Sequence, residues 1–111
     1  MSKNELVKEV TALLEEKKAE AIVVLDVHQL TTITDYMVIA TGSSTTHLRA
    51  LSNFLQEELK KRSVEVLAVE GLEYAEWVLL DLGNIIVHLM LAETRAYYEL
   101  EKLWSVGVPS A

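Results

Sequence analysis

Apolar positions follow two rhythms along this chain, and the switches between them mark its elements. Ser2-Lys3-Asn4-Glu5 sets a serine at a helix cap with a glutamate three residues on, and Leu6, Val7, Val10, Leu13 and Leu14 follow at helical spacing. This pattern predicts an amphipathic helix over 3–19. AIVVLDV (21–27) is a continuous β-branched run, the mark of a strand covered on both faces. A threonine-rich connection, HQLTTITD, leads to a second apolar run, YMVIATG (36–42). After Gly42-Ser43-Ser44 a helical stripe returns with Leu48, Leu51, Phe54, Leu55 and Leu59, and it ends in Lys60-Lys61-Arg62, which complements the C-terminal dipole. VEVLAVE (64–70) alternates as a half-buried strand, and Gly71 opens an acidic loop through Tyr74. EWVLLDLGNIIVHLML (76–91) reads as two strands around Leu82-Gly83-Asn84, where Gly and Asn suit the positive φ angles of a hairpin turn. A last helix is predicted from about Ala92 to Trp104, with Ala96, Tyr97, Leu100, Leu103 and Trp104 facing inward.

The predicted order is α-β-β-α-β-β-β-α: an α/β (α+β) domain with a mixed five-stranded sheet and helices mainly on one face. Residues 1–105 form the single domain, and 106–111 form a short flexible tail. The chain is then too short to cover the other sheet face.

The hairpin shows what that face carries. Val78 and Leu80 alternate onto the helix side with Ile85, Val87 and Leu89. Trp77, Leu79 and Asp81 point the other way with Ile86, His88 and Met90. Two readings follow. Either the terminal helix or the 71–75 loop covers this side, or it is an apolar patch rimmed by acid, the anatomy of a protein-docking site.

Composition narrows the chemistry. The chain has 111 residues, half of them hydrophobic, and no cysteine, which excludes disulfides, thiolate catalysis and cysteine zinc sites. No apolar run reaches the roughly 18 residues of a membrane span. Residues 1–20 carry four lysines and five glutamates, unlike a transit peptide, so a soluble cytoplasmic protein is expected. From Glu65 onward eight acids face only Arg95 and Lys102, so that half holds −6 of the net −7. Such a half repels phosphate backbones, which implies little direct nucleic-acid contact; it suits a basic protein partner, and plain solubility accounts for it equally well.

Catalytic motifs are wanting. Gly42-Ser43-Ser44 could cradle an anion at a helix start, but it lacks the Walker pattern and has only Arg49 nearby; an eased turn and a serine cap suffice to explain it. A Gly-Ser turn opening a helix is also similar to the nucleotidyltransferase fold, whose enzymes place an Asp-x-Asp or Asp-x-Glu pair on the next strand to hold two metal ions. Here that strand carries Glu65 and Glu70 but no such pair, and Asp26, Asp35 and Asp81 stand alone in their segments. Glu99 and Glu101 would point apart on a helix. His28, His47 and His88 are too scattered for a metal, and His88 reads best as a partly buried histidine bonded to a neighbour. No catalytic residue, metal or cofactor is assigned.

LDV (25–27), TDYMVIATGSS (34–44) with HLRAL (47–51), EG (70–71), WVLLDLGNIIVHLM (77–90) and RAYYELEKLW (95–104) occur in this order across nearly the whole chain. In these segments the sequence resembles the ribosomal silencing factor family, also called Iojap-like; Asn84, where the family usually has an acid, is a small departure. The resemblance implies a nucleotidyltransferase-like fold without catalytic carboxylates. It also implies a non-enzymatic repressor of translation under nutrient or energy limitation. Such a factor binds the large ribosomal subunit through its fourteenth protein (uL-fourteen), blocks joining of the small subunit, and is often a homodimer when free. Read together with the hairpin face, the expected partner-binding residues are Trp77, Leu79, Ile86, His88 and Met90 at the centre, Glu70, Asp81 and Glu93 on an acidic rim, and Tyr74 at one edge. Asp35, Tyr36, Arg95 and Tyr98 match family positions as either docking or bracing residues. The alternative is a divergent nucleotidyltransferase that uses Gly42-Ser43 and carboxylates from separate strands.

Overall fold

In a computed structural model, which describes residues 1–105, five strands form one mixed sheet in the order β1-β2-β5-β4-β3. The expected tail, 106–111, lies outside the described residues. The strands are β1 Glu20–Asp26, β2 Tyr36–Gly42, β3 Ala68–Glu70, β4 Trp77–Asp81 and β5 Ile85–Leu91. Only β2 and β5, at the centre, run parallel; the other neighbours are antiparallel. Helix α1 spans Lys3–Glu16 and begins with the expected capping box, the Ser2 hydroxyl accepting the Glu5 N–H at 3.2 Å. It stops three residues early because Lys18 turns the chain with φ +63°. Helix α2 spans Thr45–Lys61.

The leucine stripes do what their spacing predicts. Leu6, Val10, Leu13 and Leu14 of α1 and Leu48, Leu51, Leu55 and Leu59 of α2 meet Val38, Ala40, Val78, Leu80, Val87 and Leu89 in one core. Each such leucine contributes about 1.5–3 kcal/mol by leaving water. Among the described residues, no helix is long and apolar enough to cross a membrane.

Four expectations need correction. β1 is an edge strand and stays half exposed, so its β-branched run is not covered on both faces. β3 keeps only the last three residues of the expected 64–70, because β4 is short and offers partners only from Asp81 to Leu79. Val64 and Val66 pack instead against the core. In the hairpin turn only Gly83 takes a positive φ (+87°); Asn84 serves through its carbonyl, which accepts the N–H groups of Asp35 and Tyr36 at 3.1 and 3.0 Å. The single terminal helix is two: α3 Ala92–Tyr98 and α4 Leu100–Ser105, broken by Glu99 at φ +47°, ψ +49°. Arg95 spans the break to Glu101 at 2.7 Å. The break brings Leu100 onto the second sheet face, so helices lie on both faces, while Ala96, Tyr97 and Leu103 are exposed rather than turned inward.

Candidate functional site

Strand register assembles the surface singled out from the hairpin. Trp77 pairs with Met90, Leu79 with His88 and Asp81 with Ile86, so all six side chains share one face. Glu70 extends the row beside Leu79 from β3, and Ile39 extends it beside His88 from β2. The register is as the alternation predicts.

The exposure is not. Met90 is fully buried, His88 is 4% exposed and Ile86 is 9% exposed. Leu100 packs on Ile39 and Met90, with Trp77, Trp104 and Leu25 around them. The terminal helix therefore covers the Met90 end of the face, and Ile86, His88 and Met90 form the floor of the surface rather than its contact layer. Trp77, Leu79 and Asp81 stay partly open, while Glu70, Tyr74 and Glu93 are exposed. The Asp81 carboxylate is already engaged, accepting the Gly83 N–H at 2.8 Å.

Trp77 links floor and surface. Its indole N–H donates to His88 Nδ1 at 3.0 Å. Nδ1 must therefore be the acceptor, which places the proton of neutral His88 on Nε2. That Nε2 is buried with no hydrogen-bond partner among the described residues. Burial also lowers the His88 pKa from 6.5 to about 4, so the ring is neutral at pH 7. On its other side Trp77 meets Tyr98, ring centroids 5.0 Å apart at 51°, and Tyr98 meets Tyr97 edge-on at 4.9 Å. Tyr97 is 80% exposed and Tyr74, in the loop before β4, is 78% exposed.

An open aromatic ladder that starts from Trp77 thus replaces the open apolar patch. Tyr97 escaped the sequence reading because an unbroken helix would have turned it inward.

The family-matched positions now separate. Asp35 pairs with Lys3 at 3.3 Å and the Tyr36 hydroxyl donates to Asn4 at 2.9 Å, tying β2 to α1. Arg95 donates to the Ala21 carbonyl and the Thr41 hydroxyl as well as to Glu101. These three brace the fold, whereas Tyr98 is on the surface.

The Gly42 turn is explained by its own packing. Ser44 caps α2 by accepting the His47 N–H at 3.0 Å, and His47 Nδ1 accepts the Ser43 N–H at 2.9 Å. A Cβ on Gly42 would lie 2.4 Å from Leu48 Cδ2. Arg49 points away, to the carbonyls of Leu72 and Glu73. No group of three His, Cys, Asp or Glu stands close enough to hold a metal among the described residues.

A family profile described as "Ribosomal silencing factor during starvation" matches residues 1–110. The chain is 42% identical over 97 residues to a protein named ribosomal silencing factor RsfS from Chromobacterium violaceum, covering 87% of this chain and 80% of that one. It is also 42% identical over 98 residues to a mouse protein named mitochondrial assembly of ribosomal large subunit protein 1, covering 86% of this chain but 43% of that one. A crystal structure of a Chromobacterium violaceum protein superposes with a TM-score of 0.92 at 40% identity, covering 99% of this chain and 92% of its own.

Proposed function

The chain belongs to the ribosomal silencing factor family, and we propose that it acts by docking on the large ribosomal subunit through the fourteenth large-subunit protein. Bound there, it stands where the small subunit would join and represses translation when nutrients or energy are scarce. It works in the cytoplasm and is a homodimer when free. Steric exclusion needs no chemistry. It needs a contact surface of the usual size, about 1,200–2,000 Å² in total, and bulk beside it.

The observation that carries this reading is the Trp77-Tyr98-Tyr97 ladder, with exposed Tyr74 three residues before Trp77 and with Glu70, Glu73, Glu76 and Glu93 also exposed. Aromatic rings with a polar rim are the usual centre of a protein interface, and the acid suits a basic ribosomal protein. The name of the mouse relative supports the large subunit as the relevant half. Trp77 is the expected anchor, with Leu79 beside it; His88 and Met90 act from below by holding the indole in place, and Ile86 continues the floor opposite Asp81.

Sedimentation of the purified protein with separated subunits tests the proposal. It should migrate with the large subunit alone and lower the yield of joined ribosomes. Trp77→Ala should weaken that binding by about 2 kcal/mol or more, roughly thirtyfold. Unchanged binding by a folded Trp77→Ala protein would move the contact elsewhere. The same run without ribosomes reads the oligomeric state.

A further inference from the structure

The loop between β3 and β4, residues 71–76, is held more tightly than its exposure suggests. Gly71 has φ +89°, and a Cβ there would lie 2.1 Å from the Trp77 carbonyl oxygen, so the chain doubles back against the first residue of β4. Ala75 closes the turn by donating its N–H to the Gly71 carbonyl at 2.9 Å; it is fully buried at φ +52°. Between these fixed ends the loop crosses Leu72, Glu73 and Tyr74. Arg49, in the second turn of α2, reaches across to this crossing. Its Nε donates to the Leu72 carbonyl at 3.0 Å and its Nη2 to the Glu73 carbonyl at 2.6 Å.

Those two bonds are an unusual use of an arginine in this setting. Glu70, Glu73 and Glu76 all stand in or beside the loop, yet Arg49 forms no ion pair among the described residues and gives its guanidinium to backbone instead. A planar fork fits two successive carbonyls in a way that a single ammonium cannot. The residue after the second carbonyl is Tyr74, whose ring stands in solvent. An exposed aromatic on an unclamped loop would lose backbone freedom on docking, at a cost in affinity; a loop fixed beforehand avoids that loss.

We propose that Arg49 is a positioning residue for docking, acting through the backbone of residues 72–73 to hold Tyr74, three residues before Trp77, in one conformation. The inference rests on the docking reading above and adds a residue outside the contact surface.

A double-mutant cycle tests it, using the full chain and purified large subunits. Arg49→Gln should weaken binding about tenfold, and so should Tyr74→Ala. If Arg49 acts through Tyr74, the double variant should bind within about twofold of Tyr74→Ala alone, whereas independent effects would multiply to about a hundredfold. Hydrogen exchange at the Ala75 amide should quicken in Arg49→Gln, while β5 amides keep their protection. Multiplying effects, or unchanged binding by Arg49→Gln while Trp77→Ala still weakens it, would overturn the positioning role alone. Failure of the unmodified protein to bind the large subunit would remove the docking reading and this inference together. Should the glutamine variant not fold, Arg49→Lys keeps the charge without the fork and enters the same cycle with the same criteria.

Discussion

Acidification should destabilise this protein through one buried ring. His88 keeps its neutral form down to about pH 4 in the folded state, because burial disfavours the imidazolium, whereas an unfolded histidine titrates near 6.5. The sign follows directly. Below pH 6.5 the unfolded chain takes up a proton that the folded chain refuses, so stability is full above that value and falls as the pH drops towards 4. The whole shift corresponds to about 3 kcal/mol, of which about 2 kcal/mol is lost by pH 5. That is a large share of the roughly 5–15 kcal/mol that holds a small domain together. Urea unfolding at pH 8 and pH 5, in the native protein and in His88→Leu, isolates the effect. The variant leaves the half-exposed Trp77 N–H without its acceptor, but indole does not titrate, so that cost is the same at both pH values. Other ionising groups are common to the two proteins and cancel in the comparison. The native protein should lose about 2 kcal/mol more than the variant between pH 8 and pH 5. Equal losses, or a His88 ring that titrates near 6.5 by NMR, would refute the burial argument.

Two further outcomes follow from the same surface. If the acidic rim formed by Glu70, Glu73, Glu76 and Glu93 steers docking on a basic partner, the association rate should fall several-fold between about 50 and 500 mM salt, with little change in dissociation; stopped-flow measurement showing a flat rate would leave the aromatic centre acting alone. Gly71→Ala forces a Cβ towards the Trp77 carbonyl at a left-handed φ and should cost about 1–3 kcal/mol, lowering the melting temperature by several degrees; an unchanged melt would mean the loop can move.

What the sequence disclosed, and what it hid, follows from the range of the forces involved. The register of the hairpin was legible because alternation is local: once Val78, Leu80, Val87 and Leu89 face the core, Trp77, Leu79, His88 and Met90 must face away. The helical stripes of α1 and α2 were legible for the same reason. Whether the second face is open depends on chain far from it, and Leu100 covering Met90 is a contact that no period in 76–91 encodes. The fate of Tyr97 and Tyr98 hangs on a single backbone torsion at Glu99, a residue with ordinary helix propensity that gives no breaker signal.

That torsion makes the last expectation sharp. Glu99 is exposed and adopts φ +47°, ψ +49°, with its N–H donating to the Arg95 carbonyl and closing α3 in a left-handed cap. A side chain there costs roughly 1–2 kcal/mol that glycine does not incur. Its contact with Lys102, 3.9 Å between exposed groups, offsets little of this. Glu99→Gly should therefore stabilise the protein by about 1 kcal/mol, raising the melting temperature by about 4–8 °C. In an unbroken helix over 92–104 the same change would destabilise by about 1 kcal/mol, since glycine is a poor residue in a helix interior. The two geometries predict opposite signs from one substitution, and a fall in melting temperature would return Tyr97 to the interior and dissolve the aromatic ladder with it.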